Sequence, residues 1–411
     1  MTRLTTVTRP QFHFTSNGWI NDPHAITYFR GRYHLFFQHV PGNTVWGLGC
    51  YWGHASGPDL FSLEEMAPAL APGDGDDGVW SGSLTIDAAG TPRIFYTSVS
   101  HEHPALGSVR TATPLDDGWV NWEKGPVVVG PSEQGDVVVY RDPTIVRTPE
   151  GWRMLVGAGF SDGSAGVLGY VSVDGERWEE DKVAIRRSGE EQFPLWSGSM
   201  WECPQIIEID GQHALIVSVW DADILWDVVY ALGTYADGAF VARTWGHLSY
   251  GPSPYAATTF RDAAGFPALM FWLREVSGSQ WAGAHSIPYR ITIENDVLVL
   301  DPHPDLVAYR TDAGHGSASD ITWPATAEDF LELQQDGVTS LKIDRGPTHL
   351  TVSIRTQEFR FPWAGDIRII VDGPVVEISS RAGVFAAPFP VLEGQWTYSG
   401  AEVIVFGLAR G

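Results

Sequence analysis

Trp19-Ile20-Asn21-Asp22-Pro23 is the stretch on which the reading of this 411-residue chain turns. It sets a carboxylate between an amide and a proline, close to an indole. Two further acidic motifs follow, Arg141-Asp142-Pro143 and Trp201-Glu202-Cys203-Pro204. Their carboxylates stand at 22, 142 and 202, so the intervals are 120 and 60 residues, and midway through the longer one lies Trp80-Ser81-Gly82-Ser83. A fifth aromatic cluster, Tyr255-Ala256-Ala257-Thr258-Thr259-Phe260, arrives slightly ahead of the next grid position. In a strand-rich chain a period of this size predicts radial repetition, each unit giving one equivalent strand to a common centre. Three acids from three repeats then converge.

Strand-like segments fill the intervals. Arg32-Tyr33-His34-Leu35-Phe36-Phe37-Gln38, Arg93-Ile94-Phe95-Tyr96-Thr97, Arg153-Met154-Leu155-Val156-Gly157 and His213-Ala214-Leu215-Ile216-Val217-Ser218 each lie roughly a dozen residues after a landmark. Motif strand, turn, second strand and further strands is the layout of a propeller blade whose first strand lines the central channel. Five such units fit before residue 290. Beyond Ile287-Pro288-Tyr289-Arg290, short alternating runs such as Leu350-Thr351-Val352-Ser353-Ile354, Ile367-Arg368-Ile369-Ile370-Val371 and Val375-Val376-Glu377-Ile378-Ser379 suggest a β-sandwich. The expected fold is all-β, a five-bladed β-propeller over residues 1–298 followed by a linker and β-sandwich over 299–411. One short helix is expected at 325–335, between Pro324 and Gly337.

Composition supports this reading and removes several functions. Forty-five Gly and 27 Pro fit many short strands joined by tight turns. The formal charge of −24, spread along the chain, argues against nucleic acid and anionic membrane partners. Two cysteines, Cys50 and Cys203, support neither a disulfide scaffold nor a structural zinc site. Residues 1–14 lack an apolar run of signal-peptide length, and no stretch reaches the roughly 18 to 20 apolar residues of a membrane span, so a cytoplasmic protein is expected.

The acidic motifs differ in how readily local structure alone accounts for them. Asn21-Asp22-Pro23 is compatible with an Asx-type turn, and Asp142 with a strand-end pairing to Arg141. Glu202, set among aromatic and apolar neighbours, is harder to account for, because a carboxylate there is costly to ionise without a partner. Together the three suit glycoside cleavage with retention, in which one ionised carboxylate attacks the anomeric carbon and a second carboxyl group protonates the leaving oxygen. The expectation is an ionised Asp22 beside polar Asn21, and a Glu202 raised towards an acid's range.

The chain resembles glycoside hydrolase family 32, the invertase, inulinase and levanase group of β-fructofuranosidases. The likeness rests on the three acidic motifs and on Phe36-Phe37-Gln38-His39, Trp52-Gly53-His54, Trp80-Ser81-Gly82-Ser83, Tyr255-Ala256, Trp281-Ala282-Gly283-Ala284, and Asp372 with Val376-Glu377, all in order. It implies Asp22 as nucleophile, Glu202 as general acid and base, and Asp142 as the group holding fructosyl hydroxyls. It also implies that Arg141 orders the carboxylates, that Cys203 helps to tune Glu202, and that no metal or organic cofactor takes part. Asn21, Gln38, Trp46, Trp52, Trp80, Ser83 and Tyr255 are the further candidates for sugar contact. Amides and hydroxyls match sugar hydroxyls, and an indole covers a sugar's apolar face.

The chain departs from the family pattern at His24-Ala25, at Ser249 and Pro254, and at Tyr289 before Arg290. These positions leave the preferred fructoside open. The expected activity is release of terminal β-D-fructofuranosyl residues from sucrose, fructo-oligosaccharides or fructan, with transfer to a sugar acceptor as a further outcome. The alternatives are a related furanosidase acting on arabinofuranosides or difructose dianhydrides, and a non-catalytic carbohydrate-binding propeller. A monomer or a homodimer suits the sequence equally.

Overall fold

Five innermost strands, Gly18–Phe29, Gly78–Ile86, Val137–Thr148, Met200–Ile209 and Pro254–Arg261, touch one another in a closed ring in the computed structural model of the protein. Residues 9–410 are described, apart from 88, 131–135, 149–150, 313–316, 326–328, 336 and 391–396. Each innermost strand opens an antiparallel blade. Blade I continues through Arg32–Pro41, Tyr51–Gly57 and the short Glu64–Glu65. Blade II adds Pro92–Val99, Ser108–Pro114 and Trp122–Val129, and blade III adds Gly151–Phe160, Ser164–Ser172 and Glu179–Ser188. Blade IV adds Gln212–Asp221, Ile224–Ala236 and Ala239–His247, and blade V adds Pro267–Ser277, Tyr289–Glu294 and Val297–Pro302. Trp281–His285 closes the ring, antiparallel to Pro267–Ser277 of blade V and parallel to Gly18–Phe29 of blade I.

The radial order follows from side-chain chemistry. The second strands of blades I and IV, Arg32–Pro41 and Gln212–Asp221, are buried along most of their length, and the apolar stretches Leu35-Phe36-Phe37 and Ala214-Leu215-Ile216-Val217 suit strands covered on both faces. The outermost strands Trp122–Val129 and Glu179–Ser188 carry charged residues and are largely open to solvent.

In every innermost strand the pairing with its neighbour slips at least once, and one slip in each falls at a landmark motif. Those slips fall between Ile20 and Pro23, at Ser81, at Asp142-Pro143, at Cys203-Pro204 and at Ala256-Ala257. The 60-residue grid is therefore a grid of β-bulges, each of which bends its strand and re-aims side chains. Proline suits these places, because its missing N–H is lost where the ladder is already broken. Gly157 keeps blades III and IV close, since a Cβ there would meet the Trp201 carbonyl oxygen at 2.1 Å.

The C-terminal region is a two-sheet sandwich. One sheet runs Ser249–Tyr250, Gly383–Pro388, Val375–Ser380, Ile367–Asp372, Ala318–Trp323, Ile404–Leu408 and Arg310–Thr311. The other runs Gln357–Pro362, His349–Ile354, Val338–Arg345, Asp329–Gln335 and Thr397–Gly400. Their shared core includes Trp323, Leu331, Leu341, Val352, Ile369 and Phe385. The expected boundary at 298 falls inside Val297–Pro302, whose pairing with Tyr289–Glu294 carries the blade to Pro302. The helix expected over 325–335 is corrected to a strand at Asp329–Gln335, with residues 326–328 outside the described ones. Leu331 and Leu333 alternate into the core around Glu332, and pairing on both edges overrides local helix preference. Among the described residues the only helical segment is the 3-10 turn Pro304–Tyr309, and none is long and apolar enough to cross a membrane.

A buried cluster fastens the two parts together. His13 lies between Asp372 and Glu377 of the sandwich, with Nδ1 2.8 Å from one carboxylate and Nε2 2.6 Å from the other. Asp372 also accepts from the backbone N–H groups of Gln11, Phe12 and His13, and Glu377 accepts from the Ile287 N–H and the Tyr289 hydroxyl of blade V. Burial opposes a charge on His13, but the hydrogen bonds and charges of the two carboxylates outweigh it and push its pKa up to about 9.

Candidate active site

The five bulges bring one polar side chain from each blade to the same end of the channel: Asp22, Ser81, Asp142, Glu202 and Tyr255. Asp22 Oδ1 accepts from Asn21 Nδ2 at 3.0 Å and Oδ2 accepts from Ser81 Oγ at 2.6 Å. Both donors are fixed from behind, Asn21 by Trp19 Nε1 at 2.9 Å and Ser81 by Gln38 Nε2 at 2.6 Å. Asp142 adopts a left-handed backbone, φ +66°, as does Cys203 at φ +48°. These turns aim the Cys203 N–H at Asp142 Oδ2, 2.9 Å away, while the Asp142 N–H donates to Thr97 Oγ1 at 2.8 Å. Backbone held in this sparsely populated region is stored strain, of the kind that surrounding hydrogen bonds at functional sites sustain.

Glu202 is gripped at both oxygens. Arg141 Nε donates to Oε1 at 2.9 Å and the Tyr255 hydroxyl donates to Oε2 at 2.5 Å. The Arg141 guanidinium sits between the Trp80 and Trp220 rings, 5.9 and 5.8 Å from their centroids. Burial, then the Glu202 charge, raises the Tyr255 hydroxyl well above its ordinary value, so it remains a donor.

Of the three carboxyl groups around this guanidinium, Asp22 and Asp142 have their titration raised. Burial and then the Glu202 charge raise Asp22, against the lowering effect of the Ser81 and Asn21 hydrogen bonds. Burial and Glu202 likewise push Asp142 up to about 7, against Arg141 and the Cys203 N–H. The polarity of Asn21 alone therefore does not set the state of Asp22. The charge that Asp22 carries is held by two specific donors.

The cavity over this floor encloses about 720 Å³ and is lined by Asn21, Asp22, Gln38, Trp46, Trp80, Arg141, Asp142, Glu202 and Tyr255 among the residues expected from sequence. Trp46 stands at the rim, 47% exposed, with its ring edge-on to Trp80 at 5.9 Å. Two expected contacts lie elsewhere. Trp52 is wholly buried, packed against His24 at 4.0 Å with its Nε1 donating to the Trp80 carbonyl, so it supports the wall from behind. Ser83 accepts from the Ile145 N–H between blades II and III, and the hydroxyl on Asp22 belongs to Ser81. Cys203, the residue next to Glu202, places its sulfur 3.7 Å from both Asp22 Oδ2 and Asp142 Oδ2.

Trp220, Asp223 and Trp272 line the cavity as well and were not singled out from sequence, and Trp19, read there as part of the Asp22 motif, lines it too. Ser81 lies one residue short of the grid position one bulge on from Asp22, so the 60-residue interval points to its neighbourhood. The departures at His24 and Ser249 lie off the cavity: His24 is buried under Trp52, and the Ser249 hydroxyl accepts from the Val228 N–H where the propeller meets the sandwich. Among the described residues no cluster of His, Cys, Asp and Glu is arranged to hold a metal ion.

Comparison with known proteins agrees with this architecture. The structural likeness to the GH32 β-fructofuranosidase of Bombyx mori has a TM-score of 0.85 and covers 98% of this chain and 94% of that one, and at 22% identity it speaks for the fold. The sucrose-6-phosphate hydrolase of Zymomonas mobilis is 29% identical over 317 residues, 71% of this chain, and the match spans 61% of that relative's length. The sucrose-6-phosphate hydrolase of Escherichia coli is 33% identical over 351 residues, 80% of this chain and 70% of that protein. The family description "Glycosyl hydrolases family 32 N-terminal domain" matches residues 13–302, the whole propeller from His13 to the last strand of blade V. With its propeller matched throughout and its acids gathered on three of the five bulges, the chain belongs to glycosyl hydrolase family 32.

Proposed function

We propose that this protein is a retaining β-fructofuranosidase that releases terminal fructosyl units from a fructoside. The observation that carries this reading is the convergence of Asp22, Asp142 and Glu202, from three blades, in one cavity where Arg141 is paired with Glu202. Asp22 attacks the anomeric carbon as the bond to the leaving oxygen breaks, and Glu202 gives that oxygen its proton. Glu202, then ionised, is held by Arg141 and Tyr255 while it takes a proton from water. The water oxygen bonds to the anomeric carbon and Asp22 leaves as a carboxylate. The Asn21 and Ser81 donors stabilise Asp22 in the ionised form that begins and ends the cycle. Asp142, fixed by the Cys203 and Thr97 contacts, presents its free oxygen to the sugar's hydroxyls.

The test is product analysis after incubating purified protein with sucrose, 1-kestose, inulin, levan, difructose dianhydrides and arabinan, with methanol as a second acceptor. Free fructose, and methyl β-fructofuranoside from methanol, is the expected result; the β-methyl product reports retention. Silence across the panel from folded protein, or release of arabinose alone, would overturn the reading.

A further inference from the structure

The charge around the cavity bears on the leaving group. Four carboxyl side chains line it, those of Asp22, Asp142, Glu202 and Asp223. Asp223 sits with Ala222 on a two-residue turn between Gln212–Asp221 and Ile224–Ala236, both at left-handed φ (+62° and +49°), and is exposed at the rim. Among the described lining residues Arg141 is the only cation, and it is committed to Glu202 at 2.9 Å and enclosed by two indoles. Arg274, which packs over Tyr255 from outside the lining, is tied to the carbonyls of Leu225 at 2.6 Å and Trp226 at 3.2 Å. The remaining wall above the floor, including Trp46, Leu48, Val139 and Leu225, is apolar.

We infer that the pocket selects fructosides with an uncharged leaving group and discriminates against those phosphorylated on it, sucrose 6-phosphate among them. The inference rests on the fructosidase reading and narrows its substrate. A phosphate dianion seated over the floor meets several carboxylates within a low-dielectric cavity, with no unpaired guanidinium or ammonium among the described lining residues to receive it. The net charge of −24 adds a long-range repulsion at encounter. An apolar rim instead suits the carbon face of a neutral hexose or of a further fructosyl unit. The two bacterial relatives carry the phosphorylated sugar in their names, so this chain differs from them in the substrate it accepts.

The experiment compares kcat/KM for sucrose and for sucrose 6-phosphate at low and at high ionic strength, for the parent and for Asp223→Lys. The expected result is a preference for sucrose of about tenfold or more at low salt, from the summed repulsion, which narrows as salt screens it. Asp223→Lys should shift the ratio towards the phosphorylated sugar by at least about fivefold, since one site charge changes by two. Equal turnover, or faster turnover of the phosphorylated sugar, would overturn the inference and leave the fructosidase reading standing. A preference unmoved by both salt and Asp223→Lys would overturn its electrostatic basis. Turnover of neither sugar, nor of any other fructoside, would instead remove the reading on which it rests.

Discussion

Asp142 shows what the site costs the fold. An unfolded aspartate titrates near 3.9, on the order of three units below the value of about 7 that burial and Glu202 impose here. The folded state therefore binds the extra proton between those limits. Its contribution to stability is fully present below the unfolded value and is lost as pH rises through about 7. Asp142→Asn keeps an oxygen for the Cys203 N–H and needs no proton. It should lose turnover yet melt at a higher temperature than the parent at pH 8.5, with the gap closing towards pH 4.5. A variant that is less stable at both pH values would contradict the account. The chemistry at this scale was legible because a carboxylate such as Glu202, set among apolar and aromatic neighbours, costs too much to keep without a task. The supporting hydroxyl was less so: Ser81 and Ser83 sit two apart in a strand and read alike, and only the bulge, which the sequence does not announce, turns Ser81 onto Asp22.

Among the elements, the closing strand Trp281–His285 has little freedom. Gly283 lies at φ +82°, and a Cβ there would meet the Ile20 carbonyl oxygen at 2.0 Å. Gly211 has a similar φ, +78°, but a Cβ on it would meet nothing within 4 Å. Gly211→Ala should therefore cost about 1 kcal/mol of backbone preference alone. Gly283→Ala should cost on the order of 2 to 4 kcal/mol, because the strand must also move off Ile20 and with it the segment carrying Asp22. Urea midpoints of the two variants check the difference, and equal midpoints would mean that the ring closes with more slack than the geometry shows. Strand existence was plain from apolar periodicity in most blades. It failed at 329–335, where Leu331, Glu332 and Leu333 sit in a locally helix-favouring stretch and only long-range pairing decides.

For the whole molecule, His13 between Asp372 and Glu377 is a buried polar joint between propeller and sandwich, beside the apolar core they share. Its pKa is raised from an ordinary 6.5 to about 9, so its stabilisation is complete below 6.5 and disappears as pH rises through about 9. The parent's melting temperature should fall across that window, and that of His13→Gln should stay flatter. Removing the partner of two buried carboxylates should cost about 3 to 5 kcal/mol at pH 6. Loss of the pH slope in the variant is the diagnostic reading, and an unchanged slope would assign it to another group. Asp372 and Glu377 stand out in the sequence, but His13 does not, because the contact spans more than 350 residues and depends on how two domains meet.

That same separation sets a schedule for synthesis. His13 leaves the ribosome long before Glu377 is translated, and at bacterial-like elongation speeds the wait is tens of seconds. During it His13 lacks both of the carboxylates that hold it in the finished fold. A late-translated segment thus fixes an early one, so a ribosome that stalls before Asp372 leaves His13 without the partners that join propeller to sandwich.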